Sequence, residues 1–393
     1  MHCEYWESEA CRSCTALEIP YDVQLADKDA HARSILADYP EIEWLTPATS
    51  APAGFRNKAK MAVGNTAEQP TLGLLDKNFV GVDTSNCPLY DSRLREIFPV
   101  LREFIGLAKL TPFDVPSGRR ELKHLIVTVS PDGLFMVRFV LRSTEAEVRI
   151  RKHLPWLLER IGSYSVVTIN ILPGRVARVE GEQEIILTER DYVDMDFGRF
   201  SLRLRPRSFF QTNTAVAREL YEQARVWVDE ICAAEDVEHG GGADGDAGVD
   251  AANVPVRVWD LFCGAGGFAL SVAGEGREVF GVEISEDAVL SASESARQAG
   301  IDAQFVVADL QRGTYDFPAP DVAIVNPPRR GIADLTSWLE GCGARWLIYS
   351  SCNPDSLARD LAALESYTPV KARIFDMFPH SSHVETLVLL KRA

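Results

Sequence analysis

The chain has 393 residues, 46% hydrophobic and 25% charged, an ordinary globular composition for two or three domains that excludes a disordered or fibrous protein. No apolar run is long enough to span a bilayer and no apolar secretory core opens the chain, so the expected setting is the cytoplasm. The net charge of −16 argues against a nucleic-acid partner only as an average. Residues 234–253 carry six acids and no Lys or Arg. Bases cluster at Arg56, Lys58 and Lys60, at Arg119, Arg120, Lys123 and His124, and at Arg199, Arg203, Arg205 and Arg207. A local basic face can hold phosphates on an acidic protein; solvated strand edges are an equal reading.

In chain order, Cys3, Cys11 and Cys14 come first. A Cys-x-x-Cys pair puts two thiolates on one tight turn, as a metal or cluster site requires, and reduced cysteines are expected in this compartment. Cys87, before Pro88, is the best fourth ligand. Four thiolates suit either zinc or an iron–sulfur cluster. The lack of a second close Cys-x-x-Cys pair favours iron–sulfur without deciding it. A helix is predicted over 26–39, a turn and then a strand over 51–63 and a hairpin over 72–82. Apolar spacing at Leu94, Ile97, Leu101, Phe104 and Ile105 predicts a helix over 93–108. Residues 122–129 and 134–141 alternate around Pro131-Asp132-Gly133, a hairpin signal. A helix over 148–161 and strands over 166–172 and 184–187 complete a mixed α+β domain that positions a substrate.

Residues 197–205 alternate as one strand and lead into RSFFQTN. There Thr212 and Asn213 suit the cap of a helix over 215–231, and Phe209, Phe210 and Gln211 are candidates to face a ligand. Residues 233–254 are low in complexity and read as a flexible acidic insertion. From Pro255, strands alternate with helices, the pattern of an open α/β sheet whose ligands bind at the carboxyl ends of its strands. The strand VRVWDLF ends at Phe262 in a loop, Cys263-Gly264-Ala265-Gly266-Gly267, that lets a ligand approach backbone at a helix start. Glu283 ends the second strand, where an acid takes ribose hydroxyls; Asp309 ends the third, predicted over 305–310; Asn326 follows the fourth. The expected ligand is S-adenosylmethionine, with ribose on Glu283, adenine near Asp309 and the reactive methyl near Asn326.

The fifth strand, 346–349, stops at Ser350-Ser351-Cys352-Asn353-Pro354. A cysteine beside a methyl donor points to methylation of a pyrimidine carbon. Thiolate addition at carbon 6 of uracil makes carbon 5 nucleophilic, and a base must then remove the carbon-5 proton. Glu385, at the start of the last strand, is the candidate base; His380 and His383 are rivals with simpler hydrogen-bonding roles open to them.

FFQTN, DLFCGAGG, GVEIS, NPPRRG, SSCNP and HVETLVLL occur here in the order found in RNA uracil-5 methyltransferases, and the chain resembles that family throughout except in the acidic insertion. The resemblance implies Cys352 as nucleophile and Glu385 as base. It places cofactor contacts on Gln211, Phe262, Glu283 and Asn326, beside Asp309 and Gly264 from the strand pattern. It implies a C-terminal α/β Rossmann-like class I methyltransferase domain and an N-terminal mixed α+β domain carrying an iron–sulfur cluster. Cys3, Cys11, Cys14 and Cys87 look like the [4Fe-4S] ligands of the 23S ribosomal RNA branch, with zinc the smaller alternative. The expected division is 1–92 for the cluster region and the start of the central domain, 93–206 for the central RNA-positioning α+β domain, and 207–393 for the methyltransferase domain with its insertion at 234–253. The expected partner is 23S rRNA. The alternatives are tRNA or two rRNA sites and, from another class, a non-catalytic iron–sulfur RNA-binding protein.

Overall fold

The structure is a computed structural model that describes residues 1–239, 255–310 and 318–393. Most of the acidic insertion therefore lies outside the described residues. Helices α1 (Glu4–Glu7) and α2 (Tyr21–Ile35) lead to a two-residue strand β1 (Glu43–Trp44). A seven-stranded sheet follows, made of β2 (Lys58–Asn65), β3 (Pro70–Leu75), β4 (Gly81–Asp83), β5 (Leu122–Val129), β6 (Phe135–Leu141), β7 (Val166–Ile171) and β8 (Gln183–Ile186). Its order is β4-β3-β2-β5-β6-β7-β8. Helices α3 (Ser92–Leu107) and α4 (Glu147–Ile161) bury their apolar stripes against alternate residues of this sheet, among them Met61, Leu125, Phe139 and Ile169. The β5–β6 turn forms where Pro131-Asp132-Gly133 predicts it, with Gly133 at φ +87.

The sheet runs across residue 92, because β2 pairs with β5 from Lys58↔Thr128 to Ala62↔His124. One expectation changes here. Residues 197–205 form the turn and second arm of a hairpin, β9 (Val193–Asp196) and β10 (Ser201–Leu204), and not one strand, because Gly198 turns the chain at φ +88.

The C-terminal half contains α5 (Thr214–His239), β11 (Val256–Leu261), α6 (Gly267–Val272), β12 (Arg277–Glu283), α7 (Glu286–Ala299), β13 (Ala303–Val307) and β14 (Val322–Val325). It continues with α8 (Thr336–Gly341), β15 (Trp346–Ser351), α9 (Pro354–Ala363), β16 (Tyr367–Phe375) and β17 (Glu385–Arg392). The eight-stranded order is β1-β16-β17-β15-β14-β11-β12-β13, with β17 antiparallel to both neighbours. Strands buried on both faces read as apolar runs: Val258 faces one core with α5 and α6, and Trp259 and Leu261 face the other with α8 and α9. The strand order reverses at β11, which lies between β12 and β14, so a crevice opens at its carboxyl end. The segment of α2 and β1 joins this half: β1 adds to β16, and Lys28 Nζ lies 2.7 Å from the buried Asp376 carboxylate.

Candidate active site

Strand β11 is followed by Phe262 at φ +62, a left-handed conformation uncommon for a bulky residue and typical of functional turns. Gly264 follows at φ +53, and its backbone N–H donates to Glu283 Oε2 at 3.1 Å. The other Glu283 oxygen accepts from the N–H groups of Ile284 and Ser285, at 2.8 and 3.0 Å. The carboxylate at the end of β12 is thereby tied to the glycine loop. A side chain added at Gly264 would meet open space, whereas one at Gly267 would run into the Tyr221 ring. The first glycine thus leaves room for a ligand, and the other lets α6 pack closely on α5.

Asn326 follows β14, with its N–H 3.4 Å from Leu261 O. Strand β13 begins and ends earlier than predicted, so Asp309 lies in the loop beyond it, where the Ala308 N–H donates to Glu283 O at 2.9 Å. Phe262, Gly264, Glu283, Asp309 and Asn326 therefore share one sheet edge. Gln211 lies at the seam between the halves, its carbonyl accepting from Asn57 Nδ2 at 3.1 Å. Exposed apolar side chains at this edge, Ile284 and Val307, had no sequence signal beyond their place after Glu283 and before Asp309. Asp260 was also missed, although it stands just before the glycine loop. Its Oδ2 accepts from the Ala269 N–H at 2.9 Å and its other oxygen is buried without a partner. Burial pushes its pKa up to about 7.

Cys352 follows β15 directly and is half-buried. Strands β15 and β17 pair antiparallel up to Ser351↔Thr386, so the next step of that register sets Cys352 opposite Glu385. Glu385 is 2% exposed, and burial pushes its pKa up to about 7 while a hydrogen bond from Ser350 opposes the rise. That bond, Ser350 Oγ to Glu385 Oε1, measures 2.5 Å. The signal for Ser350 was its place two residues before Cys352, on the same side of an alternating strand. Burial raises the Cys352 pKa, the Glu385 charge adds to the rise, and Arg329 acts against it. Pro354 both ends the strand and begins α9, with Asn353 Oδ1 capping the helix. Asn353 Nδ2 also donates to Arg329 O at 3.2 Å, joining the cysteine loop to the loop that follows Asn326. A carboxyl group with a pKa near neutrality beside a thiol is an acid–base and nucleophile pair for chemistry at an electrophilic carbon.

His380 is buried and bonded to Gln24 and to Pro52 O at 2.8 Å, a structural role; His383 is exposed beside Phe378. Of the two phenylalanines, Phe210 is 6% exposed and packs in the core, so only Phe209, at 73%, is free to meet a ligand. Arg203 and Arg205 are not free for phosphate, because both bind Glu294, at 3.2 and 2.9 Å.

The four N-terminal cysteines are half-buried free thiols. Burial first, and then the charges of Cys87, Cys11 and Cys3, push Cys14 up to about 11. The Tyr5 hydroxyl accepts from the Asn86 N–H at 3.1 Å and holds the two segments together. Among the described residues, however, no three His, Cys, Asp or Glu side chains are arranged to hold a metal ion. No helix of the described residues is long and apolar enough to cross a membrane.

The reversed sheet order, the antiparallel last strand and the glycine loop define a class I methyltransferase fold. Residues 258–326 match the family model described as methyltransferase domain, and residues 306–393 match that described as tRNA (Uracil-5-)-methyltransferase. The Pyrococcus abyssi tRNA (uracil-54, C5)-methyltransferase, solved with S-adenosyl-L-homocysteine, has the same fold. It superimposes with a TM-score of 0.74 at 24% identity, covering 96% of this chain and 85% of that one. The 23S rRNA (uracil(747)-C(5))-methyltransferase RlmC of Pectobacterium atrosepticum is 41% identical over 397 residues, with 100% of both chains covered. The RlmC of Serratia proteamaculans is 41% identical over 396 residues, again with 100% of both covered. The chain belongs to this RlmC family of uracil-C5 RNA methyltransferases.

Proposed function

We propose that the protein methylates carbon 5 of a uridine in 23S rRNA, the one its relatives are named for, in the cytoplasm and with S-adenosylmethionine as donor. The observation that carries this reading is the β15–β17 register, which sets Cys352 opposite the buried Glu385. Gln211, Phe262, Gly264, Glu283, Asp309 and Asn326 would hold the cofactor, which when bound supplies an electrophilic methyl group. The target base must leave its stack to enter, and Phe209 is exposed to receive it. Cys352 Sγ adds to carbon 6, and the ring electrons make carbon 5 the nucleophile. After methylation Glu385 takes the carbon-5 proton, the C–H electrons restore the ring double bond, and the bond to sulfur breaks.

Cys3, Cys11, Cys14 and Cys87 would hold a [4Fe-4S] cluster. The Asn86 N–H to Tyr5 hydroxyl bond, which joins the two cysteine-bearing segments, supports this; the lack of a metal-ready set among the described residues weighs against it. Residues 1–92 would carry the cluster region and the start of the central domain, 93–206 the rest of that RNA-positioning domain, and 207–393 the catalytic domain. The deciding assay is tritium release from 23S rRNA labelled at uracil carbon 5, beside a tRNA control. Release from rRNA alone is expected. Release from tRNA alone overturns the substrate, and release from neither overturns the chemistry. Anaerobic purification is expected to yield a brown protein with iron and sulfide; a colourless zinc protein refutes the cluster.

A further inference from the structure

Most arginines of this acidic chain are neutralised within it. Arg138 binds Glu180 and Glu184, Arg142 binds Glu121, and Arg203 and Arg205 bind Glu294. Arg119, Arg120 and Arg175 are different. All three are exposed, and among the described residues none forms an ion pair. They converge from separate segments: a side chain added at Gly118 would come 2.9 Å from Arg175 Nε.

The surroundings hold the group in place. Asp114 N–H donates to Arg119 O at 2.9 Å, closing a tight loop. Arg142 Nε donates to Arg120 O at 3.1 Å, and Lys123 Nζ donates to Gly174 O, tying the Arg175 segment to β5. Asp114, the neighbouring carboxylate, accepts from the Ser117 N–H at 3.0 Å, and its pKa is lowered by Ser117 first and then by Arg120 and Arg175. Three guanidinium groups against one carboxylate leave a local excess of positive charge. The other two basic clusters of the sequence are partly paired, Lys60 with Glu180 and Arg203 and Arg205 with Glu294, while Arg199 and Arg207 are exposed; here the free arginines come together from two separate segments.

The patch lies at the Leu122 end of β5. At the other end Val129 N–H donates to Asn57 O, and Asn57 in turn binds Gln211 at the seam with the catalytic half. An eight-residue strand spans ~25 Å at ~3.3 Å per residue. A base held beside Cys352 cannot itself reach that far, but a duplex continuing from its loop can. Duplex RNA is gripped by its phosphates, and arginine is the side chain best shaped for them.

We propose that Arg119, Arg120 and Arg175 anchor the phosphate backbone of the RNA stem that carries the target uridine. The proposal rests on the RNA-methylating reading and adds a second, remote contact to it. The test uses the full chain carrying R119S, R120S and R175S together, and a second variant with lysine at all three positions. Each is titrated with S-adenosylhomocysteine present against a stem-loop RNA and against the same loop without its stem. The serine variant is expected to bind the stem-loop roughly 10- to 100-fold more weakly, with a salt slope smaller by about 2–3, one for each phosphate that is no longer neutralised. Its affinity for the bare loop and its kcat at saturating stem-loop are expected to match the unaltered protein, and the lysine variant to retain most of the salt slope. Unchanged stem-loop affinity overturns the proposal, as does an equal loss on both RNAs. Absence of methylation by the unaltered protein would refute the parent reading alone, since the binding comparison still reports on the anchor.

Discussion

Replacing Ser350 with alanine removes the one hydroxyl that donates to Glu385 Oε1, at 2.5 Å in a fully buried position. A hydrogen bond to a charged group contributes about 1.5–3 kcal/mol. At ~1.36 kcal/mol per pKa unit, its loss raises Glu385 by about 1–2 units above its value near 7. Cys352 faces Glu385 from the end of β15 and Tyr221 faces it from α5; Asp376, next to its β16 partner Phe375, is neutralised by Lys28. None of these changes in the variant. Glu385 works as a base only when ionised, so proton removal from the methylated adduct is expected to slow about 5- to 50-fold at pH 7 and to recover toward pH 9. The assay starts from preformed protein–RNA adduct, so that the titration of Cys352 does not enter, and follows adduct decay on denaturing gels across pH. Ser350→Thr, which keeps the hydroxyl, is expected to keep the original profile. A rate lowered by the same factor at every pH would refute the reasoning and reduce Ser350 to a packing residue.

Four further outcomes are expected. Glu385→Gln leaves no base for the carbon-5 proton, so a covalent RNA adduct should accumulate; normal release of methylated RNA would exclude Glu385 from that role. Glu385 and Asp260 both have pKa values raised to about 7, so the stability of their neutral forms is present below the ordinary carboxylate range near 4.5 and lost as pH rises through 7. The melting temperature should therefore fall from pH 5 to pH 8, less steeply in Glu385→Gln. Gly267→Ala forces a methyl into the Tyr221 ring and should cost about 1–3 kcal/mol in urea unfolding, whereas Gly264→Ala, facing open space, should weaken cofactor binding by calorimetry with a smaller loss of stability. Lys28→Met strands the Asp376 carboxylate, already short of a partner at Oδ2, and should cost about 3–5 kcal/mol by denaturant titration.

The C-terminal alternation of strand and helix was legible because apolar runs, glycine turns and caps act between near neighbours. So was the placing of Phe262, Glu283, Asn326, Cys352 and Glu385 at strand ends. Residues 197–205 misled because their alternation survives the Gly198 turn, and the true end of β13 was hidden because Ala308 and Leu310 extend its apolar run past Val307. The rest depends on pairings between distant segments. Strand β16 had no sequence signal that set it apart, and it exists because β17 and β1 flank it. The pairing of β2 with β5 across residue 92 arises in the same way. Which arginines stay free was equally hidden, since Glu294 and Glu184 reach their partners only across the fold. Residue chemistry by itself nominated a thiol and a carboxyl group 33 positions apart. Only the antiparallel register of β15 and β17 sets them face to face, and only burial in the assembled core brings the carboxyl toward neutrality, because desolvation is a property of the surroundings and not of the residue.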